Sequence, residues 1–136
     1  MLDYFKKNDL FSANIGAELV SCEPGSAEVR LKLKKKHLNT IGRPHAHAGV
    51  LYTLAESASA AAILPYGWDC CAVEGKVTYV DSVAEGVVTA VAKGKDEHDQ
   101  ESGSCRVRLY AEDGRIIAKA VFTILYTGDP FVIPEE

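Results

Sequence analysis

An excess of positive charge is the first thing this 136-residue sequence lacks: 15 lysines and arginines face 19 aspartates and glutamates, a net charge of −4. Proteins that grip nucleic acid neutralise its phosphates with a basic surface, so nucleic acid is excluded as the main partner. The one basic run, residues 31–37, is short and reads as the exposed end of a strand that could at most meet a phosphate. Also missing is an apolar run approaching the ~20 residues that cross a bilayer. The opening MLDYFKKND has neither an apolar targeting core nor a cleavage signature, so the expectation is a cytoplasmic protein with no membrane contact. Cys22, Cys70, Cys71 and Cys105 form no C-x-x-C pair, which argues against a disulfide framework and for buried free thiols. Repeats and low-complexity stretches are absent too. The length suits one domain with a real core, and 47% apolar with 25% charged residues is a globular composition.

What is present reads as an α+β order. An N-terminal helical segment occupies 1–13, centred on Asp3 to Phe11, with Tyr4, Phe5 and Phe11 as its apolar side. Residues 15–22, a turn at Glu23-Pro24-Gly25-Ser26 and a strictly alternating run follow. Ala27, Val29, Leu31 and Leu33 face one way in that run, and Glu28, Arg30, Lys32 and Lys34 the other, the mark of a half-buried antiparallel hairpin. A loop over 35–45 leads into an alanine-rich helix from Ala48 to Leu64, stopped by Pro65 and Gly67. Strands are expected near 71–81, 86–95, 102–112 and 115–126, with Glu112-Asp113-Gly114 a strong hairpin turn and 127–136 a loose tail. One apolar helix and about six strands bury most simply as a curved sheet wrapped round the helix.

Glu56 is the only charged residue between Pro44 and Trp68. A carboxylate in so apolar a helix must be satisfied, neutralised or used, and desolvation raises its proton affinity as a general base or nucleophile requires. The competing reading, a solvated stripe on the helix, sits poorly with its neighbours. The first amides of the helix, at His47-Ala48-Gly49, lack intrahelical acceptors and suit a developing oxyanion. Asn39 could orient a carbonyl or a water, or simply make a turn. No charged electrophilic helper is evident, so the substrate should already be activated, as a thioester is. Ala48 and Glu56 are eight residues apart, about 12 Å along a helix. One carbonyl cannot reach both, so a shared site requires two subunits, a homodimer with twofold-related sites. His45-x-His47 could be half a metal site, but no ligand lies at suitable spacing and none is expected. Arg106, Arg108, Lys76, Lys93 and Lys95 read as solvated strand faces, of which one or two could meet the phosphates of a ligand.

Asn39-Thr40-Ile41-Gly42, His47-Ala48-Gly49 and Leu54-Ala55-Glu56 on an alanine-rich helix together resemble the hot-dog-fold acyl-CoA thioesterases. The branch most resembled is the phenylacetate-degradation and 4-hydroxybenzoyl-CoA type, over roughly residues 15–126, with Val77-Thr78-Tyr79 similar to the strand after the helix. The resemblance implies hydrolysis of an acyl- or aroyl-CoA by a homodimer or homotetramer, with coenzyme A entering only as part of the substrate and no separate cofactor. It implies Glu56 as base or nucleophile, the Ala48 amide, beside Gly49, as oxyanion donor, and Asn39 as an orienting group. His47 would brace the turn, and with Ala72 and Thr78 it would line the substrate. The sequence departs from the pattern at Ala48, where the family has glycine, and at Ala72, where many relatives carry a hydroxyl. Two extra residues lie between Asn39 and His47. A non-catalytic acyl-CoA binder using the same cleft is the alternative. A hot-dog dehydratase fits worse, because Thr40 and Leu54 stand where its histidine and acid belong.

Overall fold

A computed structural model describes residues 1–134. The order is α1 (Leu2–Asn8), α2 (Leu10–Ile15), β1 (Glu18–Glu23), β2 (Ser26–Lys32), β3 (Leu38–Asn39), β4 (His45–Ala46), α3 (Ala48–Ile63), β5 (Trp68–Tyr79), β6 (Val87–Gly94), β7 (Ser102–Tyr110) and β8 (Ile116–Pro130). Six strands form one antiparallel sheet in the order β1-β2-β6-β7-β8-β5. That sheet curves over α3, which packs mainly on β2, β6 and β7. This is the hot-dog arrangement expected from the sequence.

The packing follows from small side chains on both partners. Ala55, Ala58 and Ala62 on the helix meet Ala27, Ala90, Ala92, Ala118 and Ala120 on the sheet, all buried, and the gaps are filled by Leu54, Phe122, Leu109 and Val107. Close approach is enforced again at Gly75, where a methyl group would stand 2.7 Å from the Phe122 ring and also strike the Tyr52 hydroxyl. The alternation read in β2 and β7 holds, with Ala27, Val29, Leu31, Leu33, Cys105, Val107, Leu109 and Ala111 all inside.

Four expectations need correction. The N-terminal segment is two short helices, because Asp9 leaves the helical conformation and its side chain caps α2 by accepting the Ser12 amide at 3.3 Å. Residues 127–130 of the expected loose tail belong to β8, and the Phe131 amide then donates to the Gly67 carbonyl at 2.8 Å while its ring packs on Tyr4. Residues 131–134 of that tail form no helix or strand, and 135–136 lie outside the described residues. The helix and its following turn, Ala48–Tyr66, have 19 residues and a mean hydropathy of 1.2, long and apolar enough by length and composition to cross a membrane. Half of that stretch is buried under the sheet, which is why a core helix carries such a composition. Finally, the cysteines are free but not uniformly buried: Cys105 is inside, Cys22 and Cys70 are half-buried and Cys71 is exposed.

The loop before α3 is tied down by histidines. His37 is buried; its Nδ1 accepts the Lys34 amide at 2.9 Å and its Nε2 meets the Ile15 carbonyl at 2.6 Å. The His47 amide donates to the His37 carbonyl at 2.9 Å, and β3 pairs with β4 beside it. The start of α3 is therefore fixed against α2.

Candidate active site

Glu56 lies two turns into α3, half-buried, at the meeting of two openings. One, of about 280 Å³, is walled by Ser59, Ala60, Ile63, Leu64, Ile124 and the Cys70–Ala72 segment of β5. The other, about 210 Å³, is walled by Tyr4, Phe5, Asn8, Asp9 and Ala60. Burial pushes the proton affinity of Glu56 upward, and the neighbouring Asp9 charge adds to it. The carboxylate is half-buried, with an apolar cleft on one side and the polar Asn8 and Asp9 on the other. A bulge in the β5–β8 ladder inserts Val73 beside that cleft, between Ala72 and Glu74. Cys70 is held protonated, its thiol pushed up to about 11 by burial and by Asp69.

The helix start has its own geometry. The His47 Nδ1 accepts the Gly49 amide at 2.8 Å, and the His47 carbonyl accepts the amides of Val50 (2.9 Å) and Leu51 (3.3 Å). His47 thus caps α3 and occupies the Gly49 donor. The Ala48 amide has no hydrogen-bond acceptor among the described residues. Ala48 borders a separate hollow of about 360 Å³ with His45, Leu51, Tyr79, Asp81 and Val83. There the Tyr79 hydroxyl donates to the Ala48 carbonyl at 3.0 Å, and burial, followed by Tyr52, pushes the Tyr79 phenol upward. Within one chain, then, Ala48 and Glu56 open onto different hollows.

Other sequence candidates are placed less centrally. The Asn39 Oδ1 accepts the Ile41 amide at 3.0 Å, a turn-making contact. Thr78 pairs with Lys119 on the outer face of the sheet, away from α3, because inward Val77 and Tyr79 flank it. The outward Lys76, Arg106 and Lys93 share one cross-strand row on that face, with Lys119 and Arg108 in the next. Ala72 does line the Glu56 cleft. No group of three or more His, Cys, Asp or Glu stands together at metal-binding distance among the described residues. His45 and His47 both spend Nδ1 on backbone partners. Sequence reasoning missed Asp9, Tyr4 and Cys70. Their approach to Glu56 is tertiary, and only the lone N-terminal Asp-x-x-Ser cap signal at Asp9 to Ser12 was locally readable.

The family model described as "Domain of unknown function (DUF4442)" matches residues 6–126. A curated protein of Archaeoglobus fulgidus named "Putative esterase" is 28% identical over 130 residues, covering 95% of this chain and 82% of its own length. The PaaI protein of the E. coli phenylacetic acid degradation operon superposes with a TM-score of 0.85 at 21% identity, covering 94% of this chain and 91% of that one. A hypothetical thioesterase from Streptococcus pneumoniae, solved with coenzyme A, superposes with a TM-score of 0.79 at 23% identity, covering 91% and 98%.

Proposed function

This chain belongs to the DUF4442 family, and from that premise and the cleft around Glu56 we propose that it hydrolyses acyl-CoA thioesters. The observation that carries the reading is Glu56 itself: a carboxylate of raised proton affinity in an apolar cleft, eight residues from a helix-start amide that is free to donate. The resemblance to a hypothetical thioesterase that binds coenzyme A supports the same substrate class. So does the likeness to a relative named as an esterase.

In this mechanism the acyl group lies in the 280 Å³ cleft against Ala60, Ile63, Leu64 and Ile124. Glu56 takes a proton from water, which attacks the thioester carbonyl, or attacks that carbonyl itself to form an anhydride that water then opens. The Ala48 amide of the other subunit donates to the tetrahedral oxyanion, strengthened by the helix dipole. The thiolate of coenzyme A leaves without a strong acid. Metal ions and cofactors take no part in this scheme.

The two-subunit site is supported by the edge of the sheet. Among the described residues β5 has a strand neighbour on one side only, which leaves its outer edge open to pairing. It carries Val73 (55% exposed) and Tyr79 (46% exposed), with Val80 (55% exposed) just beyond it. A second β5 related by a twofold axis would pair with this edge, cover those side chains and bring each Glu56 toward the partner's helix start.

The test is thiol release from a panel of straight-chain and aryl acyl-CoAs, with Glu56→Ala and Glu56→Gln beside the parent. Turnover by the parent that is lost in both variants supports the proposal. One observation favours a second reading: Ala72 gives the cleft a methyl group and no hydroxyl beside Glu56. A parent that binds coenzyme A yet releases no thiol from any substrate makes the protein a non-catalytic acyl-CoA binder.

A further inference from the structure

Glu56 does not stand alone in its cleft. The next residue along α3, Ser57, is buried and donates its hydroxyl hydrogen to Asp9 Oδ2 at 2.6 Å, a contact spanning 48 residues of sequence. The second Asp9 oxygen, Oδ1, accepts the Ser12 amide at 3.3 Å. Asp9 is thus clamped from both sides, at the break between α1 and α2, and it borders the 210 Å³ opening together with Glu56. Beside the break the Phe5 ring meets Tyr4 edge-on at 6.1 Å, and Tyr4 in turn meets Phe131 at 6.0 Å.

We infer that Asp9 is a positioning residue for Glu56: Ser57 and the α2 cap hold its carboxylate against the same opening, so the two acids share one site and act as a pair. The inference rests on the role proposed above for Glu56. The groups that face Glu56 are few. From α1 and the α1–α2 break come Tyr4, Asn8 and Asp9; from β5 come the thiols of Cys70 and Cys71. Cys70 is protonated at neutral pH, and no cation lines either opening among the described residues. Within one chain, burial is the larger cause of the raised proton affinity of Glu56 and Asp9 is the charge that adds to it, while Asp9 itself shares a further hollow with Lys6 and Glu18. Like charges that share a site part in affinity, one acid titrating at higher pH than it would alone.

Asp9→Asn removes the charge and keeps the clamp, because the amide oxygen can still accept from Ser12 and the amide NH₂ can donate to a rotated Ser57 hydroxyl. The titration of Glu56 is read on the full chain by carboxyl-carbon NMR, with the resonance identified by its loss in Glu56→Gln. The midpoint moves to lower pH in Asp9→Asn, and in the same direction but less in Ser57→Ala, where the clamp is slackened. The acid limb of the thioesterase pH profile moves with it. An unchanged Glu56 midpoint in Asp9→Asn overturns the pairing. A shifted midpoint in a parent that releases no thiol leaves the pairing standing and removes only the thioesterase reading.

Discussion

The His47 ring accepts the Gly49 amide at 2.8 Å, and that one contact decides which donor at the start of α3 is left for a ligand. Of the amides that open the helix, Gly49 is spent on the cap, and Val50 and Leu51 turn back to the His47 carbonyl. Ala48 is the donor that remains. His47→Ala should therefore cost stability and function separately. Loss of a side-chain cap destabilises by about 0.5–2 kcal/mol, which urea unfolding will read. Thiol release should fall further than that loss alone explains, since the freed Gly49 amide competes for the oxyanion.

Glu56 makes a second prediction with a definite sign. Its folded-state pKa is raised above that of a free glutamate side chain, chiefly by burial. Between the unfolded and folded pKa values the native state binds more protons, so stability falls as pH rises through that window. The carboxylate is then a native-state burden at neutral pH that vanishes in acid below the unfolded pKa. Glu56→Gln should raise the melting temperature at pH 8 and leave it unchanged near pH 3. A constant difference at both pH values contradicts the burial argument.

The four thiols should separate by reactivity. Cys71 is exposed, Cys70 is held protonated with its pKa near 11, and burial pushes both Cys22 and Cys105 upward. An alkylating reagent at pH 7.5 should label Cys71 first, because the thiolate is the reacting form. Cys71 also lines the Glu56 cleft. Non-hydrolysable acyl-CoA analogues should slow its labelling, read by intact mass; labelling unaffected by saturating analogue argues against acyl binding there.

The core sets a fourth expectation. Leu54 is fully buried between helix and sheet, and Leu54→Ala should cost about 2–5 kcal/mol. Gly75→Ala should also destabilise, by overpacking, since its methyl group meets the Phe122 ring. Both are checked by denaturant midpoint with an unchanged slope.

Much of this was legible in the chain, for local reasons. Glu56 stood out because no other charge lies between Pro44 and Trp68. The alternation in β2 and β7 fixed which faces go inward, since one sheet face is buried. What was hidden depended on tertiary neighbours. Asp9 approaches Glu56 only because α1 and α2 fold back over α3. The N-terminal segment looked like one helix because Asp9 breaks it with a cap and no proline or glycine marks the site. β8 runs on to Pro130 across an irregularity at 127–129 that the positive φ of Gly128 permits, and its partner Trp68 is distant in sequence. Thr78 faces outward because inward Val77 sets the strand's parity, a placement that the motif alone did not give.

In the proposed site, Glu56 of one subunit works with the Ala48 amide of the other. Proline is well accepted at a first helical position and has no N–H to give, so Ala48→Pro deletes that donor while keeping the helix. Glu56→Gln and Ala48→Pro proteins, each inactive alone, are to be unfolded together at equal amounts, refolded, and assayed for thiol release from an acyl-CoA that the parent hydrolyses. Random pairing across a twofold interface gives mixed dimers in which one of two sites is intact, so about a quarter of parental activity should return. Refolded mixtures that contain mixed dimers and stay inactive at every ratio would contradict the account.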